Sequence, residues 1–502
     1  MTEDLDVETV KLIRLTGLRE SEIDSARKAQ DETWDTIQRI IDRHNRFISM
    51  GEKHTRQKAI QDPVHGAILL EPWELDIIST WEMLRLQYVR QLGPAHIVYP
   101  GATHTRFEHC IGTNFLAQKS IRVVNYCDDL DTACFGPLSH LLDDYHQKLF
   151  RATALLHDIG HTPFSHTYEY ALDSWMNLDH LDLGEFLILN SSIADILSQN
   201  DIAPNDVVNI LRRCAKDPIK SLLSEFLDHP LDIDKTDYLI RDAHFSGVQL
   251  GIFPAERVML TNRVVKNREG KYIRAFMLKA IHSLEALILS RNWMFSDLYL
   301  HHAVKLAEAL ISKATYFRMR EEDLSRNECI GLFTRMTDGD LFRWLEESEI
   351  EFVRDYASRI RYRKLFKVVL SRPLASFEKD TQEQFLETFE NIGKLIEMEN
   401  NLSEEPGSVI IDVISPPLGE KKLGKIPLLV GGEQGFDIMN LDATKEGRPL
   451  MHILRQQSRT MPSVRVYSDL QIANEVRRRF DKIFPVSDTP AYREDEYDFT
   501  EY

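Results

Sequence analysis

Apolar residues recur at helical spacing along most of this 502-residue chain, and the exceptions fall into a few short runs. Up to about Ser49 the pattern is charged amphipathic helix, with Ile13, Leu18, Ile23, Trp34, Ile37, Ile40 and Ile41 on the face to be buried. A polar patch at residues 51–58 follows. Asp62-Pro-Val-His-Gly-Ala-Ile-Leu-Leu70 sets turn residues before an apolar run and reads as a small hairpin. Helical periodicity dominates from Glu74 to about Phe253. A second hairpin is expected over residues 263–273, turning near Glu269-Gly270, and long helices from Leu278 to about Asn400. After Glu404-Glu-Pro-Gly407 the texture changes. Residues 409–414 and 426–430 are strand-like, and residues 463–467 resemble a third strand leading into a helix. The acidic stretch 493–502 has the composition of disorder. The expected class is mainly α, divided as an N-terminal helical extension (1–58), a catalytic body (59–310), a helical extension (311–403), a small mixed α/β C-terminal module (404–490) and an acidic tail (491–502).

One stretch does not read as packing alone. In Leu149-Phe-Arg-Ala-Thr-Ala-Leu-Leu-His-Asp-Ile-Gly-His-Thr-Pro-Phe-Ser-His166, Phe150, Ala154, Leu155 and Ile159 form an apolar helix face. His157 and Asp158 close that run, Gly160 is a natural stop, and a second helix can start around His166. An imidazole beside a carboxylate is costly to bury unless something satisfies both, and a divalent metal does so. His161 and His166 follow within ten positions, with Glu169 one turn beyond. Two other places carry suitable ligands. Arg106-Phe-Glu-His109 precedes a helix, and residues 232–242 hold Asp232, Asp234, Asp237 and Asp242 interleaved with Ile233, Tyr238, Leu239 and Ile240. Part of that acidic run must therefore face inward.

Composition narrows the class. With 43% hydrophobic and 28% charged residues this is an ordinary globular chain. A net charge of −18 argues against general coating of DNA, which depends on counterion release by basic surfaces. The 5 cysteines form no CxxC pair, so neither a zinc knuckle nor a disulfide framework is expected. The start has no apolar signal region and no run approaches membrane-spanning length, so a cytoplasmic protein without membrane contact is expected.

The order His109, His157-Asp158, Asp234 resembles the metal signature of the HD-domain phosphohydrolases. Asp62-Pro-Val-His-Gly66, Gln91-Leu-Gly93, Arg106-Phe-Glu-His109, His157-Asp-Ile-Gly-His-Thr-Pro-Phe-Ser-His166 and Asp234-Lys-Thr-Asp-Tyr238 together resemble the dNTP triphosphohydrolases, particularly the SAM/HD branch. The similarity runs from about residue 60 to 305, with no SAM domain before residue 50, and continues weakly near residues 362–367, 410–414 and 464–467. It implies an HD-domain helical core with small β-hairpins. It also implies His109, His157, Asp158 and Asp234 as ligands of one divalent metal. A nitrogen and oxygen donor set without thiolate suits Mn, Fe, Ni, Zn or Mg, and a further Mg can accompany the triphosphate.

The same resemblance casts His161 and His166 beside the metal, with Glu169 orienting His166 for general acid/base work. Arg106, Lys235, His180 and Arg291 match phosphate-side positions. Gln91, Leu92, Tyr238, Asp242 and Tyr299 match positions around the deoxyribose, where a tyrosine ring would exclude a 2′-hydroxyl. Arg257, Lys279, Arg363 and Lys367 match basic positions that contact regulatory nucleotides. The guanine-gripping Asp and Arg of the activatable branch are here Ser79 and Gln87, so an activator need not be guanine-specific. The implied activity is hydrolysis of a dNTP to deoxynucleoside and triphosphate by a nucleotide-responsive homo-oligomer, dimer or tetramer. The alternatives are an HD phosphohydrolase acting on a nucleoside monophosphate or a cyclic or alarmone nucleotide, and a nucleotide-sensing or nucleic-acid-binding scaffold with an idle site.

Overall fold

The computed structural model describes residues 7–50, 53–126, 141–165, 171–172, 174–267, 269–389, 391–414, 420–432, 435–460 and 462–486. Helices dominate these residues, with three small sheets between them. At the N-terminus the helices Val7–Thr16, Glu20–Ala29 and Glu32–Met50 enclose Leu12, Ile13, Ile23, Ala26 and Ile37, with Leu18, Trp34 and Ile41 at the margin. Ile40 is only partly buried. This bundle is tied to the body by a buried ion pair, Arg14 to Glu82 at 2.8 Å.

The first hairpin forms where the turn residues predict it. Strand β1 (Lys58–Asp62) pairs antiparallel with β2 (Gly66–Leu70). Asp62 Oδ1 accepts the amides of Val64 and His65, and Gly66 takes the left-handed conformation the reversal needs, at φ +77°.

Three helices form the centre of the body. Arg106–Tyr126 packs against both Asp144–Leu156 and Ile233–Ser246. Phe150, Ala154, Leu155 and Ile159 are fully buried, as their spacing requires. The helix Asp144–Leu156 begins at Asp143, whose side chain accepts the His146 amide, and ends at His157. The chain then turns at Gly160, pressed against the helix His180–Asn190. A Cβ at Gly160 would collide with the His180 carbonyl and the Gly184 backbone, so only glycine permits this approach.

Strands β3 (Asn262–Lys266) and β4 (Tyr272–Met277) make the second expected hairpin. Strand β5 (Lys367–Pro373) was not expected, since it interrupts the stretch 278–400 read as helix throughout. Its Val368-Val-Leu370 run acquires a backbone partner only from a strand about a hundred residues later, which no local periodicity reveals. Strand β6 (Val409–Ile414) and β9 (Ser463–Ser468) complete that sheet in the order β5-β9-β6. Strand β7 (Pro427–Gly432) pairs with β4 in parallel and with β8 (Gly435–Asn440) antiparallel. Strands of the last hundred residues thus complete sheets that begin earlier in the chain. No helix among the described residues is long and apolar enough to cross a membrane.

Replacing Gly160 by alanine should cost about 1–3 kcal/mol by overpacking, read as a lower denaturation midpoint. A variant as stable as the parent would mean that the turn does not bear on the His180 helix.

Candidate metal centre

The three central helices bring together side chains that are far apart in the sequence. His109 lies in the first turn of Arg106–Tyr126, and His157 ends the helix Asp144–Leu156 with Asp158 beside it. Asp234 lies in the first turn of Ile233–Ser246, a helix capped by Asp232. His109 Nε2 is 2.9 Å from Asp234 Oδ1, 3.2 Å from His157 Nε2 and 3.7 Å from Asp158 Oδ2. His157 Nε2 is 3.4 Å from Asp158 Oδ1 and 3.6 Å from Asp234 Oδ1. A cation with bonds of about 2.1 Å holds neighbouring ligand atoms about 3.0 Å apart in octahedral geometry and about 3.4 Å apart in tetrahedral geometry. The observed spacings bracket both values, and His109, His157 and Asp234 alone form a compact donor group.

The ring orientations fit the same purpose. His157 Nδ1 donates to the Ala154 carbonyl at 2.9 Å, and His109 Nδ1 donates to Asp237 Oδ2 at 2.7 Å. Each imidazole therefore turns Nε2 toward the shared point, where its lone pair would meet a cation. Asp237 is itself fixed from several sides. His65 Nε2 lies 2.6 Å from its Oδ1, and Arg241 donates to both oxygens at 2.8 and 3.0 Å. Arg241 reaches on to Asp62 at 2.8 Å, so the turn of the first hairpin holds the outer end of the network. Gly112 makes room for it, because a Cβ there would strike Asp237 and Arg241.

The electrostatics show a centre short of positive charge. Burial opposes protonation of His109, yet hydrogen bonds to Asp234 and Asp237 outweigh it and push the imidazole up to about 10. His157 is also raised, since Asp158 and Asp234 overcome its burial. Burial would lift the carboxyls of Asp158 and Asp234. Arg106 and the imidazoles draw the first below the usual range, and the two imidazoles draw the second. In the metal-free state protons supply charge that a cation would otherwise bring.

The remaining expected residues are distributed as follows. Arg106 pairs with Asp158 and donates to Ser165 Oγ at 2.7 Å, while Lys235 donates to Asp232 at 2.6 Å. Both cations thus sit beside the metal cluster with carboxylate partners. His161 Nδ1 lies 3.3 Å from Asp158 Oδ1, and its ring stacks on His180 with centroids 4.3 Å apart. The Tyr238 ring is 6.4 Å from His109 on one side and 6.4 Å from Tyr299 on the other. Tyr299 donates its hydroxyl to Asp242 at 2.6 Å. Leu92 joins Tyr238 and Tyr299 at the margin of one apolar cluster. Arg291 lies over the Phe295 ring, and its Nε, like Gln91 Oε1, is buried with no hydrogen-bond partner among the described residues. His166 and Glu169 lie outside the described residues, as does the tail 491–502. Arg257 and Lys279 line an open cleft of about 720 Å³, joined by a 2.9 Å bond from the Arg257 guanidinium to the Lys279 carbonyl. Arg363 and Lys367 are exposed, just past the helix Glu351–Arg361 and at the start of β5.

Several residues that hold the site were not singled out from the sequence. Asp237, His65, Arg241 and Asp62 lie within motifs noted there, but nothing local assigns them to one network. Arg85, fully buried, donates to the carbonyls of Ile159, His161 and Met336 at 3.0, 2.8 and 3.2 Å. Asp338 accepts the Phe164 and Arg90 amides at 2.9 and 3.2 Å.

The HD domain model matches residues 106–242, the span that carries every candidate ligand described above, and the model of an HD associated region matches residues 268–495. Residues 106–242 are thus similar to an HD domain. HD domains bind divalent metals, and this one presents a His-His-Asp group. An uncharacterized protein of Methanocaldococcus jannaschii is 26% identical over 84% of this chain and 81% of its own length. An uncharacterized protein of Bacillus subtilis is 32% identical over 52% of this chain and 56% of its own. The deoxynucleoside triphosphate triphosphohydrolase SAMHD1 of Homo sapiens is 26% identical over 62% of this chain and 55% of its own. The alignments to the last two thus span little more than half of those relatives. The crystal structure of a hypothetical protein from Aquifex aeolicus, 26% identical, covers 84% of this chain and 100% of its own with a TM-score of 0.62.

Two outcomes test the centre. Asp237→Asn should weaken metal affinity about 10–100-fold, measured by chelator competition, and unchanged affinity would detach Asp237 from the centre. The raised His109 adds stability to the metal-free protein that is full below about 6.5, its unfolded value, and is lost as pH rises through about 10. A cation must displace that proton, so metal uptake should release protons and tighten as pH climbs across the same window. Calorimetry in buffers of different ionisation enthalpy reads the release, and its absence would mean that His109 is not a ligand.

Proposed function

We propose that the chain is a metal-dependent deoxynucleoside triphosphate triphosphohydrolase that cleaves a dNTP at the α-phosphorus, yielding deoxynucleoside and triphosphate. One observation carries this reading. A wall formed by Tyr238 and Asp242, on the helix that bears Asp234, and by Tyr299 against them leads away from the cluster. Asp234, Tyr238 and Asp242 stand four residues apart, about 6 Å per step along that helix. A substrate held at the cluster by its α-phosphate would set its sugar against this wall. The resemblance to SAMHD1, named for that activity, supports the same reading.

His109, His157, Asp158 and Asp234 are the proposed ligands. A bound divalent cation would polarise an α-phosphoryl oxygen and neutralise charge that develops there. Arg106 and Lys235 would exchange their carboxylate partners for phosphate oxygens, the first with bidentate geometry and the second as a point charge. His161 and His180 stand on the phosphate side, with Arg291. His166 is assigned the proton transfer to the leaving oxygen or from the attacking water, a role in which Glu169 would orient it. Tyr238 would crowd the 2′ carbon, favouring deoxyribose, while Gln91, Leu92 and Asp242 hold the 3′ side. Arg257 and Lys279 are assigned to a regulatory nucleotide with Arg363 and Lys367 in a homo-oligomer.

Incubation with four dNTPs and four NTPs under several divalent metals should yield nucleoside and triphosphate from the dNTPs. Monophosphate and pyrophosphate would refute cleavage between the α-phosphorus and its 5′-oxygen, in which the deoxynucleoside is the leaving group. His157→Ala should abolish hydrolysis and metal binding together. His166→Ala should keep the metal and lose about 10²–10⁴-fold in rate, and an undiminished rate would move the acid/base role elsewhere.

A further inference from the structure

His104 has no part in the metal cluster, yet the wall beside it depends on this residue. Its Nε2 lies 2.8 Å from Asp242 Oδ1, and the other oxygen of that carboxylate accepts the Tyr299 hydroxyl at 2.6 Å. The imidazole is buried and stacks on Phe245, with centroids 4.7 Å apart and planes at 15°. Gly101 allows this loop to press on the Phe245 carbonyl, where a Cβ would collide. The His104 carbonyl in turn accepts the Gln91 amide at 3.1 Å. Nδ1 of His104 is buried with no hydrogen-bond partner among the described residues. An apolar ring would fill this slot without burying a bare nitrogen, so packing does not explain an imidazole here.

What the imidazole does is orient a carboxylate. A carboxyl group turns easily about its terminal torsion unless both oxygens are engaged. Tyr299 closes a single π-helical turn, Phe295–Tyr299, at the end of the helix Ile281–Met294, a local geometry often found at functional sites. Its ring position therefore rests on the bond to Asp242, and Asp242 rests on His104. Three separate elements meet in this chain of two hydrogen bonds.

We propose that His104 is a positioning residue that sets the non-phosphate side of the substrate pocket by fixing Asp242 and, through it, Tyr299. The proposal rests on the reading of the site as a dNTP pocket. His104→Ala removes the donor and leaves the metal cluster untouched. KM for the dNTP should rise about tenfold or more, the usual effect of losing a hydrogen bond to a charged group, with kcat held within about threefold. His104→Gln, whose amide can donate to the same oxygen, should recover most of the lost KM. Tyr299→Phe should raise KM in the parent but add little in the His104→Ala background, because the two changes break one chain of bonds. Metal stoichiometry of each variant reports that the helical core is intact.

An unchanged KM, a parallel loss of kcat and bound metal, or fully additive effects of the two substitutions would each overturn the assignment. A parent enzyme that binds metal yet cleaves no dNTP would overturn the reading of the pocket and this proposal with it. That result is distinct from a dNTP hydrolase indifferent to His104.

Discussion

His109 can offer an Nε2 lone pair to a cation beside Asp234 only while its other nitrogen gives a hydrogen to Asp237, and much of the centre follows from that bond. Asp237 is a fully buried carboxylate, so it needs enough donors to offset its desolvation. Arg241 and His65 supply them, and burial still fails to lift its pKa, which stays well below the usual carboxylate range. Arg241 is fully buried in turn and needs Asp62. The first hairpin, otherwise a minor two-stranded element, is therefore part of the machinery that aims a proposed metal ligand. Gly112 belongs to the same account, as the residue whose missing side chain leaves space for the pair.

The charges around the cluster are arranged for exchange. Asp158 is shared between the cluster and Arg106, and Asp232 holds Lys235 one residue from Asp234. Polyanionic substrate would meet two cations already desolvated and oriented, held by carboxylates rather than by water. This reconciles a chain of net charge −18 with the proposed triphosphate pocket. The overall charge governs long-range attraction, whereas a few buried guanidinium and ammonium groups govern what is bound at contact.

How much of this was legible in the sequence depended on distance along the chain. The apolar face of residues 150–159 and the His157-Asp158 pair are local and were readable from spacing. So were both hairpins, since Asp62 and Gly66 carry their turn chemistry in five residues. The order of His109, His157, Asp158 and Asp234 became a cluster through resemblance rather than periodicity, because their encounter depends on how three helices pack. Asp237 was hidden in an acidic run whose default reading is a solvated face, and its partner His65 lies 172 residues away. Strand β5 was missed for the same reason, its pairing with β9 being non-local.

The turn that follows His157 shows why a motif of this kind cannot be understood from its own residues. Phe164 and Ser165 both take left-handed backbone conformations, at φ +56° and +59°, which L side chains adopt only when their surroundings compel it. Neither is glycine, so the compulsion must come from outside. Asp338 takes the Phe164 amide, and Ser165 Oγ is held between Arg106 and the Arg90 carbonyl. Arg85 binds the Ile159 and His161 carbonyls and, with its other nitrogen, the carbonyl of Met336. Residues 336–338 therefore grip the turn at both its start and its end. Burial pushes the Asp338 carboxyl up to about 6, since its bonds to two amides and the nearby guanidiniums only partly offset desolvation. The position of His161 over His180 is thus decided by a segment more than 150 residues downstream, the chain that leads from the helix Arg326–Phe333 into the first residue of the helix Asp338–Glu346. Strain stored in two residues is stable only because a distant part of the chain opposes it.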